Sequence, residues 1–504
     1  MKITLVFAPP ERAASLGELG ETLSPPLGVL YLAGYLRAHC RDLDIRVIDG
    51  TRKGYGGTVE GVRAHGPDIL GVSAYTLTAT GAYRLIDEIK QEHPETIVIV
   101  GGPHATALPE DVLGRSRADA VALGEGERTL TEFVQAVSKG GGLDGVDLAA
   151  IDGLAYRRNG TIVRTRPRAL IEDLDSIPLP ARDLIDLNDY DGFYLTKQRP
   201  ETIMIFSRGC PYDCTFCSNV IWRHPQTGRP RVRLRSPKNV VDEMEHLKVD
   251  FGVREVFDQS DEFNANLRSA RGICQEMISR GLGMTWKTQV RCHPLPRDLV
   301  RLMRRAGCWY THLGIESGNP EALRGIRKRI TIEQVEDACR TLGREGIKRH
   351  GLFMLYNVWE ENGRLCFEDT EMTGKTLAFA SSLVKRRLID YLGWSITEPY
   401  PGSPLYDIAR RHNLIKPELR TDWGAWLRAD SFVMRLPGVS EKDAARLKTE
   451  GGKVRALCML RSGGLNLKTT GYVAKKVFKL VQHEWRARFG RGRLRPTEVV
   501  ARAG

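Results

Sequence analysis

The sequence predicts an α/β protein with two parallel-sheet domains and a helical C-terminal region. Three observations predict it. Strand-like and helix-like runs alternate through residues 1–145 and again through 199–410, and a proline-rich stretch separates the two sets. Strands joined by crossover helices form parallel sheets. At 504 residues, with 41% hydrophobic and 27% charged side chains, the chain can bury a core in each domain.

In the N-terminal set, strands are expected at Ile3–Phe7, Ile45–Asp49, Ile69–Ala74, Thr96–Val100 and Ala118–Leu123. The clearest helix is Leu27–Ala38, behind Pro25-Pro26, with Leu27, Leu30, Tyr31, Gly34 and Tyr35 on one stripe. A doubly wound, Rossmann-like domain over 1–145 follows. Its ligand site is expected beyond the carboxyl ends of the strands. The loops there are Ala8–Glu11, Ser73–Thr76, Gly101–His104 and Gly124–Glu127.

Residues 146–198 read as a connector. Ile151–Tyr156 and Thr161–Arg164 flank Asn159-Gly160, a hairpin signal. Residues 199–410 give six more strands: Thr202–Ser207, Arg254–Asp258, Thr285–Gln289, Tyr310–Ile315, His350–Leu355 and Leu392–Thr397. Each precedes a helical pattern, which suits a partial (β/α)6 barrel with its site at the C-terminal strand ends. Residues 411–504 read as helical and basic, with breaks at Pro437-Gly438, Gly451-Gly452 and Gly463-Gly464 and a basic amphipathic helix over 473–496.

The chemistry concentrates in Ser207-Arg208-Gly209-Cys210-Pro211-Tyr212-Asp213-Cys214-Thr215-Phe216-Cys217. Gly209 and Pro211 turn the chain out of a strand into a loop that aims three soft thiolates at one point. Such ligands suit an Fe–S cluster or zinc. A structural zinc needs a fourth closed ligand, and only His224 is near. A disulfide framework needs even pairing in a secreted chain.

This Cys-x3-Cys-x2-Cys motif, with an aromatic residue before the last cysteine, resembles the radical S-adenosylmethionine (SAM) enzymes. The resemblance implies a [4Fe–4S] cluster on Cys210, Cys214 and Cys217, SAM on the open iron with Phe216 near its adenine, and a 5′-deoxyadenosyl radical. The pieces Ser24-Pro25-Pro26-Leu27-Gly28, Gly71-Val72-Ser73-Ala74-Tyr75-Thr76, Gly101-Gly102-Pro103-His104 and Gly124-Glu125-Gly126-Glu127 resemble, in order and spacing, the cobalamin-binding domain of one large subfamily.

That resemblance implies a corrin near Ser73, Tyr75, Thr76, Gly101, Gly102, Gly124 and Glu125. It implies SAM contacts from Ser260, Gln289, Arg291 and Glu316, with Glu316 facing the ribose or the substrate. Two departures stand out. No Asp-x-His-x-x-Gly string supplies a cobalt ligand, and His104 reads as a loop histidine rather than a ligand. A Gly-x-Pro-Gly-Glu turn after the fifth barrel strand is replaced by Leu355-Tyr356-Asn357-Val358-Trp359-Glu360-Glu361. Tyr356 there is a candidate for hydrogen-atom donation, ring stacking or simple filling of volume.

The function implied is radical functionalisation of an unactivated carbon in a small natural-product molecule, by cobalamin-dependent C-methylation. The alternative is a cobalamin-independent dehydration, oxidation or rearrangement of a sugar or aminoglycoside-like substrate. An external one-electron reductant of flavodoxin or ferredoxin type is implied in both. Net charge is +13, yet no nucleic-acid-binding module is present. The RNA-modifying methylthiotransferases need three further N-terminal cysteines, and only Cys40 is there. No signal peptide or apolar span is read, and free thiols fit the cytoplasm.

Overall fold

A computed structural model describes residues 1–11, 24–190, 195–219, 221–427 and 432–461. The basic helix expected at 473–496 and the break at Gly463-Gly464 lie outside them.

The N-terminal domain has five parallel strands, Lys2–Phe7, Asp44–Asp49, Ile69–Ser73, Ile97–Gly101 and Ala120–Ala122. They stand in the order second, first, third, fourth, fifth. Apolar runs such as Ile3 to Val6 and Ile97 to Val100 are buried between helices on both faces, as a parallel sheet requires. Phe7 pairs with Ser73, and Ser73 with Gly101. These strand ends therefore form one row at the carboxyl edge. The Asn159-Gly160 hairpin forms as Leu154–Arg158 and Thr161–Arg164, with φ of 49° and 77° at the two turn residues. It pairs antiparallel with Ala120–Ala122 and so extends this sheet to seven strands.

The second sheet contains Glu201–Met204, Glu255–Asp258, Thr285–Val290, Cys308–Glu316, Lys348–Leu355 and Tyr391–Ile396, all parallel and neighbours in chain order. This is the expected partial barrel. Ser207 does not continue its first strand. The Phe206 and Ser207 amides are taken by Ser260 Oγ at 2.8 and 2.9 Å, and Ser207–Cys210 pairs instead with Arg231–Leu234.

One further expectation is revised, and the stretch after the fifth barrel strand has a structure of its own. Val358–Glu361 and Arg364–Phe367 form a hairpin about Asn362-Gly363, whose φ values are 51° and 75°. Gly451-Gly452 does not break its helix, which runs unbroken over Glu441–Arg461. A Cβ on Gly451 would come within 2.8 Å of the Trp394 ring, so the glycine serves close packing of this helix on the last barrel strand. No helix among the described residues is long and apolar enough to cross a membrane.

Candidate active site at the domain interface

The cysteine loop leaves a short strand rather than the barrel strand itself. Gly209 has φ +86°, and a Cβ there would sit 2.1 Å from the Arg231 carbonyl oxygen. Only glycine lets the strand pair so closely and still turn. The Gly209 amide donates to Asp261 Oδ2 at 3.0 Å. Thr215 N–H donates to the Ile326 carbonyl, and the Thr215 carbonyl accepts from Leu405 N–H at 2.8 Å. The loop is thus pinned at its base, its middle and its far side.

Burial pushes the Cys210 thiol up to about 12, with Glu262 adding to the shift. Burial likewise raises Cys217 to about 11. Thiols of this kind lose their protons when metal binds. Three half-buried to buried thiols on one pinned loop fit a cluster with one open iron.

The barrel mouth surrounds this loop. Arg291 is buried, stacks 3.8 Å from the Tyr212 ring, and its Nη2 has no hydrogen-bond partner. An unpaired buried guanidinium nitrogen is costly unless a ligand meets it, and a carboxylate is its natural partner. Glu316 ends the fourth strand at φ +68° and accepts from Lys328 Nζ at 2.8 Å. Gln289, half-buried, pairs in register with His312. Phe216 is half-buried, with Lys328 Nζ 6.0 Å from its ring centre.

One other candidate, Ser260, is occupied otherwise. Ser260 Oγ accepts from two strand-end amides and donates to Asp258 Oδ1 at 2.5 Å, which latches the first two barrel strands together. Tyr356 lies in the apolar core with its ring edge-on to Phe432 at 5.1 Å. Its buried Oη has no hydrogen-bond partner, and its backbone stands at φ +61°.

The N-terminal loops face the same interface. Gly102 has φ +94°, and a Cβ would strike the Ala74 backbone at 2.8 Å. Gly124 has φ +75° and open space where a Cβ would stand. Tyr75 leans edge-on against Phe7 and leaves its ring 48% exposed. With Ser73 and Gly101 these make a shallow, small-residue cradle that fits a large flat ligand.

His104 is not part of the cradle. It is fully buried, bonded to Tyr83 Oη at 2.8 Å and Thr76 Oγ1 at 3.3 Å, with the Trp423 ring edge-on. Side chains rather than backbone satisfy it, and Thr76 is turned toward it.

Glu125 turns away from the cradle. Its carboxylate accepts from Arg208 Nη1 and Arg233 Nη1, both at 2.8 Å, and from the Ile171 amide. Glu127 accepts from Arg208 Nη2 at 2.6 Å. Burial raises the Glu125 carboxyl, and the two arginines more than reverse it, so the group is held below the usual carboxylate range. Neither Arg208 nor Lys328 was marked by the sequence reading. Arg208 lies inside the cysteine motif, but its partners are 81 and 83 residues away.

A family model described as the B12 binding domain matches residues 19–134, and one described as the radical SAM superfamily matches 204–362. An uncharacterized methyltransferase of Pyrococcus horikoshii is 32% identical over 89% of this chain and 90% of its own length. The anaerobic magnesium-protoporphyrin IX monomethyl ester cyclase of Rubrivivax gelatinosus is 30% identical over 79% of this chain and 70% of its own. Among solved structures, the cobalamin-dependent SAM radical enzyme OxsB with aqua-cobalamin and SAM bound superposes with a TM-score of 0.67 at 17% identity, over 90% of this chain and 66% of that one.

Proposed function

The chain belongs to the radical SAM enzymes that carry a B12 binding domain, and from that premise we propose that it methylates a carbon of a small organic molecule. Its cofactors are a [4Fe–4S] cluster, SAM and cobalamin, so the cobalamin-independent alternative is not carried further. The cluster supplies one-electron reduction of SAM, and cobalamin supplies methyl carriage.

The observation that carries the reading is the meeting of two loops at one interface. The glycine-lined strand ends of the first domain lie against the strand that bears Cys210. In this reading Cys210, Cys214 and Cys217 hold the cluster. Arg291 pairs the SAM carboxylate, Gln289 and Glu316 meet its ribose, and Phe216 flanks its adenine. Ser73, Tyr75, Gly101, Gly102 and Gly124 line the corrin. His104 is enclosed and does not face the corrin in this reading. The pinned loops hold both ligands still and exclude water from the space between them.

The test is anaerobic protein loaded with hydroxocobalamin, iron and sulfide, then given SAM and a low-potential reductant. Formation of both S-adenosylhomocysteine and 5′-deoxyadenosine supports methyl transfer. 5′-Deoxyadenosine alone, from protein that holds stoichiometric corrin, sinks it. It would favour ring-forming chemistry, which the name of the Rubrivivax gelatinosus relative, a cyclase, describes for that protein.

A further inference from the structure

Two arginines and two glutamates lie buried between the domains. Arg208 bonds Glu125 at 2.8 Å and Glu127 at 2.6 Å, and Arg233 bonds Glu125 at 2.8 Å. Their side chains are 3–6% exposed. The set is electrically balanced. Arg208 and Arg233 face each other in the register of the two short strands. The Arg208 guanidinium is also flanked by the rings of Tyr31 at 5.3 Å and Trp222 at 4.9 Å.

Adhesion alone would not call for this arrangement, because apolar residues of similar volume join surfaces with no desolvation penalty. Directional, charge-assisted bonds do something apolar contacts do not: they admit one register. Each end of this clasp is placed where register matters. Arg208 stands two residues before Cys210. Glu125 directly follows Gly124, whose left-handed turn opens the cradle, and Glu127 stands two residues further on. A small slip at the clasp would move one cofactor loop relative to the other.

We propose that Arg208, gripped by Glu125 and Glu127, is a positioning residue that fixes the corrin loop against the cluster strand, so that corrin affinity and corrin–cluster separation depend on it. This rests on the reading that corrin lies over the Gly101-Gly102 and Gly124 loops. A second buried clasp serves as the comparison. Arg182 bonds Glu243 at 2.6 Å and Arg235 bonds it at 2.5 Å, equally enclosed, but that clasp ties the connector to a barrel helix and to the Ile203 and Ile205 carbonyls ahead of the cysteine strand, with no bond to the Gly124 loop.

The experiment compares full-length wild type, Arg208→Lys and Arg182→Lys, each purified anaerobically with its cluster. Hydroxocobalamin is titrated into each. The relaxation enhancement that the reduced cluster imposes on the cob(II)alamin spin signal is then measured. Arg208→Lys is expected to keep its iron and sulfide, to bind corrin about tenfold more weakly, and to lose part of the enhancement. Arg182→Lys is expected to change neither readout. Equal effects from both variants, or none from Arg208→Lys, overturn the proposal. Should Arg208→Lys not fold, Glu127→Gln is measured in its place under the same criteria. Wild type that takes up no corrin sinks the cofactor reading itself, which the variants alone cannot do.

Discussion

Lys328 Nζ donates to the Glu316 carboxylate at 2.8 Å across the bulge that ends the fourth barrel strand. Gly314 makes room for the pair, since a Cβ there would lie 2.7 Å from both Glu316 Oε1 and Lys328 Nζ. Burial opposes the Lys328 charge, and Glu316 more than offsets it, so the amine is held above the usual lysine range. Lys328→Met leaves a carboxylate nearly buried without its partner. It is expected to cost about 3 kcal/mol of stability, read as a lower denaturation midpoint. Gly314→Ala should disturb the same pair by displacement, and the two changes should not add.

Gly209→Ala is expected to abolish cluster assembly. The added methyl meets the Arg231 carbonyl at 2.1 Å, and φ +86° disfavours any side chain. Iron and sulfide content of anaerobically purified protein should match that of Cys210→Ala, Cys214→Ala or Cys217→Ala. The three cysteine variants should still titrate with hydroxocobalamin, because they leave the Arg208 clasp in place. Full cluster content in Gly209→Ala would refute the packing argument.

His104→Ala should destabilise the N-terminal domain by about 2–4 kcal/mol through loss of a buried bonded group and the space it leaves. It should leave the visible spectrum of bound hydroxocobalamin unchanged. A shift of that spectrum would mean that the histidine reaches cobalt after all.

Asp111 supplies a pH signature. Burial raises its carboxyl, but hydrogen bonds from His104, Tyr83 and Trp423, together with Arg115, bring it from 3.8 down to about 2. A carboxylate lowered on folding stabilises the fold above its unfolded pKa, and that contribution fades as pH falls from about 4 toward 2. With allowance for its partial exposure, the contribution is about 1–2 kcal/mol. The Asp111→Asn variant should be less stable than wild type at pH 6 and should lose less on acidification to pH 3, measured by denaturant unfolding at both values.

The sequence by itself determined the two-sheet architecture, the positions of most strands along the chain and the position of the cysteine loop. These are local or periodic signals. Alternation of apolar runs fixes parallel strands, a Gly-Cys-Pro turn follows from backbone sterics, and Asn159-Gly160 marks its hairpin. Asn362-Gly363 carries the same signal and forms a hairpin of its own.

Only the tertiary structure decided which polar groups face a ligand and which face one another. Glu125 belongs to a glycine-rich loop that promises a cofactor contact, yet its carboxylate is spent on Arg208 and Arg233. Gly451 stands beside a second glycine, a helix-breaking pattern, yet the helix continues because Trp394 needs the space. Lys328 carries no motif, yet it neutralises Glu316 at the barrel mouth. In each case the partner is distant in the chain. The pairing is set by how two domains or two strands come to rest, which no spacing along one strand encodes.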